Sequence, residues 1–120
     1  MKKNLFISVI ISSLFIVALS ANVVETRCGW LFNPKLRNWY LIDNDGRWII
    51  SQQGGYEAKG MDNLPTNEKD YVKTNGYYGY ACVCMDVVTD SARLRISETC
   101  GGESLPLSTC RQYPNVPKNP

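Results

Sequence analysis

The rhythm of apolar and polar side chains changes several times along this chain. From Leu5 to Leu19 (LFISVIISSLFIVAL) every residue is apolar or Ser. That run is shorter than the roughly 20 apolar residues needed to span a bilayer. Met1-Lys2-Lys3-Asn4 precedes it as a short positive segment, and Ala18-Leu19-Ser20 follows with small residues. The three parts together predict a cleavable secretion signal over residues 1–20, cut after Ser20 or one residue later. A lipid-anchored product would need Cys directly after the cut, and Ala21 or Asn22 stands there. The product is therefore expected to leave the membrane.

Strand-like alternation begins after the signal. From Asn38 to Ser51 (NWYLIDNDGRWIIS) aromatic and β-branched runs flank an Asp45-Gly46 turn, an arrangement that predicts a hairpin. A two-residue loop centred on Asp45-Gly46 or on Asn44-Asp45 gives the same faces. Trp39, Leu41, Trp48 and Ile50 share one side, and Tyr40, Ile42 and Ile49 the other. Apolar groups on both faces place this hairpin inside the fold rather than at its edge.

A second hairpin runs from Tyr77 to Ser97. Ala81, Val83, Met85 and Val87 form its apolar face. Thr89-Asp90-Ser91-Ala92 reads as the turn, and the return strand Arg93–Ser97 points Leu94 and Ile96 inward. Tyr78, Tyr80, Cys82 and Cys84 occupy the opposite face, so both thiols emerge on one side. The simplest arrangement straps the Cys28 and Cys110 segments across that side.

Gln52-Gln53-Gly54-Gly55-Tyr56 reads as a loop. Thr66 to Lys73 predicts one or two helical turns capped by Thr66 or Asn67. Another short helical turn is predicted to start at Pro106. Tyr113 to Pro120 carries three prolines and is expected to be extended or frayed. The fold class is therefore mainly β with a minor α part. It consists of a small antiparallel sheet or partial barrel with two hairpins and one or two helical turns. The single exported domain covers residues 21–113, followed by a Pro-rich tail, 114–120.

Charge narrows the partners. Removing the signal removes Lys2 and Lys3, which supply the formal +2 of the whole chain. A balanced chain without a basic cluster carries no electrostatic footprint for nucleic acid or anionic lipid. All five cysteines, Cys28, Cys82, Cys84, Cys100 and Cys110, lie beyond the signal. In an oxidising compartment four of them pair and one is left over. A bridge from Cys28 to the Cys82/Cys84 region is worth about 4 kcal/mol in the chain-entropy model, and one from there to Cys110 about 3.5 kcal/mol. Against a total of roughly 5–15 kcal/mol, such bridges decide whether the domain folds.

Candidate chemistry is sparse. The chain has no histidine, so Ser–His and Cys–His pairs and imidazole metal sites are excluded. Glycosidase-type chemistry needs two carboxylates, and Asp43, Asp45, Glu57 and Asp62 are present. Asp43 and Asp45 fit a turn better, where short acidic side chains bond nearby amides. An EF-hand loop fails because Leu41 and Gln52 stand where the template needs acids. Cys82-x-Cys84-Met85 offers soft Cu(I) ligands, but the same cysteines serve as half-cystines. No catalytic residue, metal or cofactor is assigned. The candidate binding residues are Gln53 and Tyr56, with Asn75, Tyr77, Tyr78 and Tyr80 of the second Tyr/Gly-rich segment. Tyr beside Gly and Asn supplies adaptable contact area. The plainer reading puts these tyrosines at the core edge.

Several motifs recur together: Cys28-Gly29-Trp30, Asn38-Trp39, Asp45-Gly46-x-Trp48, Gln53-Gly54-Gly55-Tyr56, Thr74-Asn75-Gly76-x-Tyr78-Gly79-Tyr80-x-Cys82-x-Cys84 and Leu105-Pro106-Leu107-x-x-Cys110-Arg111. In this order they resemble a family of small exported bacterial proteins classed as a domain of unknown function, number 4087. Tyr40 and Cys100 depart from the pattern. The resemblance implies that Cys100 is the odd thiol and that Cys28, Cys82, Cys84 and Cys110 form two bridges. It brings no catalytic residues. The expected role is non-enzymatic binding in the periplasm. The partner would be a protein, such as an envelope-acting hydrolase or toxin that it inhibits, or alternatively cell-wall glycan.

Overall fold

The computed structural model describes residues 23–66 and 70–120. The expected secretion signal lies outside the described residues. Six strands form one sheet: β1 Glu25–Lys35, β2 Asn38–Asp43, β3 Gly46–Ser51, β4 Val72–Asn75, β5 Tyr78–Asp90 and β6 Arg95–Leu105. One short helix, α1 Leu107–Gln112, follows β6.

The strand order is β1-β2-β3-β6-β5-β4, and β1 also pairs with β5. The sheet thus curls until β1, β2, β3, β6 and β5 form a ring. An odd number of strands cannot alternate direction all the way round. One contact must be parallel, and it falls between β3 and β6, at Ile49 and Arg95. The sheet is mixed for this reason alone, since every other strand pairing is antiparallel. The architecture is a five-stranded, partly open barrel, a kind that includes the OB-fold. At the thin β3–β6 seam Ile49 N–H donates to Leu94 O. Glu57 and Lys59 bridge Ser51 and Glu98 there, filling the gap.

The first hairpin has the register centred on Asn44-Asp45, with Leu41 facing Trp48 and Tyr40 facing Ile49. Leu41, Trp48 and Ile50 enter the barrel interior with Leu31, Ala81, Val83, Met85, Val87 and Ile96, and Trp39 packs on the edge of this cluster. A second cluster lies outside the barrel wall. There Trp30, Cys82, Cys110 and Val116 are buried beneath α1 and the chain end. Gly29 sits on β1 where a Cβ would collide with the Ile42 carbonyl of β2, so only glycine fits this close approach.

Four expectations need correction. Leu94 does not point inward: β6 starts one residue later, and Leu94 closes the turn with φ 51° and an exposed side chain. Its N–H donates to Ser91 O, which makes it part of a tighter turn than the apolar alternation suggests. Residues 67–69 of the expected helical segment lie outside the described residues, but Val72 and Lys73 belong to strand β4. The tail is packed rather than frayed, because Trp30 Nε1–H donates to Pro117 O at 2.7 Å and Val116 fills the outer cluster. The Cys28 link is a rung between directly opposed residues of β1 and β5, not a strap across the face.

Candidate functional site

A single register row runs across all six strands. Val72 faces Tyr80, Tyr80 faces Phe32, Phe32 faces Tyr40, Tyr40 faces Ile49, and Ile49 faces Arg95. Their chain neighbours Leu31, Leu41, Trp48, Ile50, Ala81 and Ile96 point into the barrel. Side chains alternate along a strand, so the whole row points outward. Each member is half-buried.

The next row, Leu105, Cys82, Trp30, Ile42 and Arg47, is also mostly apolar. Here α1 and the tail provide cover. Leu107, Tyr113 and Val116 pack on Trp30, Cys82 and Ile42, and the Cys82–Cys110 disulfide clamps the helix in place. Trp30 meets Tyr80 edge to face, with ring centroids 5.2 Å apart. Arg47 leaves this row and lays its guanidinium over the Tyr40 ring at 3.8 Å, with Phe32 at 5.9 Å. The Phe32–Tyr40–Ile49 stretch is thus a shallow aromatic surface bordered by a stacked cation.

The sequence-derived candidates divide between places. Tyr80 lies in the row, and Tyr78 stands two residues along the same strand, paired with exposed Asn75 of β4. Tyr77 occupies the β4–β5 turn, 85% exposed, with Lys73 Nζ 5.2 Å from its ring centroid. Tyr56 belongs elsewhere: it packs against the interior cluster, donates its hydroxyl to Ile96 O and stacks with Arg95 at 4.4 Å. Burial pushes its pKa up, and Arg95 offsets part of that rise. Gln53 is exposed in its loop, its N–H donating to Asn38 Oδ1. The structure therefore assembles Tyr78 and Tyr80 with Phe32, Tyr40 and Arg47. Tyr56 packs with the other cluster. Phe32, Tyr40 and Arg47 carry no weight in the sequence reading, although the outward alternation of Tyr40 and Ile49 is visible there.

A second feature is ionic. A cleft of about 530 Å³ lies between the start of β1, the β2–β3 turn and Tyr113–Val116. On its wall Arg27 meets Asp43 and Asp45 at 2.8 Å each and Glu25 at 3.2 Å, and stacks on Trp48 at 4.2 Å. Burial works against the Arg27 charge, but the hydrogen bonds to Asp45 and Asp43 and the nearby carboxylate charges outweigh it, raising its pKa. Asp43 Oδ1 also accepts the Asp45 N–H at 2.9 Å and Trp48 Nε1–H at 3.0 Å. These bonds give Asp43 and Asp45 the turn role expected of them.

Two disulfides, Cys28–Cys84 and Cys82–Cys110, hold the barrel, and Cys100 is free and exposed. Together the fold and the outer face define a small, disulfide-tied, mostly β domain. The chain belongs to the family described as protein of unknown function (DUF4087), which matches residues 22–116. That match ends on Val116, the last buried residue of the outer cluster. No curated protein and no solved structure matches the chain.

Proposed function

We propose that this is an exported, periplasmic binding domain that acts on a protein partner without catalysis, for example by inhibiting an envelope-acting enzyme or toxin. The observation that carries the reading is the outward Tyr80–Phe32–Tyr40–Ile49 row. Half-exposed aromatic groups on a fixed scaffold are the side chains that anchor protein interfaces. Two disulfides are consistent with an oxidising compartment. Among the described residues no helix is long and apolar enough to cross a membrane.

A cell-wall glycan is the second reading. By fold analogy alone, the face of the second and third strands in OB-type barrels binds oligosaccharides or oligonucleotides. Tyr40, Arg47 and Ile49 lie on the corresponding strands here. A sugar ring stacks on a bare aromatic face, however, and Arg47 covers that of Tyr40. The protein reading is the better supported for that reason.

The test immobilises the mature domain and offers it periplasmic extract and, separately, purified peptidoglycan. A protein retained by the wild type and lost with Phe32→Ala and Tyr40→Ala supports the proposal. Sedimentation with peptidoglycan that depends on the same residues supports the glycan reading instead.

A further inference from the structure

Resting on that binding reading, we infer that the aromatic row receives an extended, acidic segment of the partner protein. Charge complementarity points to this occupant. The row and the one beneath it contain Arg47 and Arg95 but no carboxylate. The β1–β2 turn beside Phe32 and Tyr40 adds exposed Lys35 and Arg37. Among the described residues none of these four cations forms an ion pair, whereas the carboxylates of Glu25, Asp43 and Asp45 are all engaged by Arg27. Asp90, beside Arg95, is held by Arg93. Arg47 on the strip and Lys35 and Arg37 in the adjoining turn therefore stand outside any ion pair beside this apolar surface, as Lys59, Lys73, Arg111 and Lys118 do elsewhere among the described residues. Electrostatic complementarity of that kind steers and orients a partner.

The strip also sets the shape. Neighbouring strands lie about 4.8 Å apart, so β5, β1, β2 and β3 carry the row across roughly 14 Å. That is the reach of about four extended residues at some 3.3 Å each. Apolar side chains from such a segment would sit between Tyr80, Phe32, Tyr40 and Ile49, with carboxylates reaching Arg47 and the turn. Arg47 is already stacked on Tyr40, so little conformational freedom remains to be lost when it pairs.

The experiment selects a random displayed peptide library on the disulfide-intact domain and reads the composition of the retained pool. The expected pool is enriched in Asp and Glu alternating with apolar residues. Synthetic peptides from it should bind about tenfold more weakly to Arg47→Glu and lose affinity as salt rises. Arg47→Gln removes the charge while keeping a polar, unbranched stem and, with its melting midpoint unchanged, should show the same direction of loss. A neutral or basic pool, or equal affinity for Arg47→Glu, overturns the acidic partner. Polyglutamate and heparin binding equally well through Arg47 would overturn it too, in favour of an anionic polysaccharide. If Phe32→Ala abolishes binding of a non-acidic pool, only the partner chemistry falls. If Phe32→Ala changes nothing, the binding surface itself is refuted.

Discussion

The indole of Trp48 donates to the carboxylate of Asp43 across the two-residue turn that separates their strands, at 3.0 Å. Asp43 is 1% exposed at its side chain and holds Arg27 on its other oxygen. One carboxylate thus ties the interior core, the turn and the start of β1. Asp43→Ala should cost about 3–5 kcal/mol, since it leaves a largely buried guanidinium short of its partner. Urea denaturation measures this, and a loss below about 1 kcal/mol, typical of surface pairs, would contradict it.

The disulfides give a chemical prediction. Peptide mapping without reduction should recover Cys28 joined to Cys84 and Cys82 joined to Cys110, with Cys100 open to alkylation. The loops closed span 56 and 28 residues. Replacing each pair by Ala should therefore cost about 4 and about 3.5 kcal/mol. Recovery of Cys100 paired with Cys110 would show the arrangement wrong.

How much of this was legible beforehand differs by residue. The common face of Leu41 and Trp48 followed from the turn chemistry in either of its two registers, and the common direction of Cys82 and Cys84 from strand alternation. Local pattern carries both; the structure then selects the register that opposes Leu41 to Trp48. The closure of β3 on β6 was not legible, because it rests on contact between residues 46 positions apart, Ile49 and Arg95. Leu94 misled for a related reason: its carbonyl is recruited by Ile49 of β3, and that fixes the turn. The binding candidates were half visible. Tyr78 and Tyr80 sit where alternation placed them. Tyr56 is drawn away by the Ile96 carbonyl and Arg95, partners on a strand that the local sequence does not announce.

The chain end should matter more than a proline-rich tail suggests. Deleting residues 114–120 removes the acceptor of the Trp30 indole and uncovers the outer cluster at Val116. The loss should be about 2–4 kcal/mol from apolar area and one hydrogen bond. Proton NMR checks it directly, since the Trp30 Nε1–H resonance should lose its exchange protection. An unchanged resonance would mean that the tail does not seal this face.

Alkaline pH should loosen the domain. Burial raises the pKa of Tyr56 and of Tyr71 above the ordinary tyrosine value. Between the unfolded and folded values the native state holds more protons, so stability falls as pH rises. The stability is complete below about pH 10 and is lost above it. Denaturation midpoints across that range, in a Cys100→Ser background to prevent thiolate exchange, should fall. The Tyr56→Phe, Tyr71→Phe double variant should flatten the limb.

The two bridges overlap in sequence, because Cys82 precedes Cys84 while their partners lie at opposite ends of the chain. A single cut anywhere between Cys28 and Cys110 leaves at least one sulfur–sulfur link joining the two pieces. Covalently, this stretch behaves as a closed circuit. Proteolytic nicking of an exposed loop such as Gln52–Gly55 would therefore not release a fragment until the molecule is reduced. A nicked domain would run as one band without reductant and as two with it, which makes protease tolerance a property of the cysteine order rather than of the core.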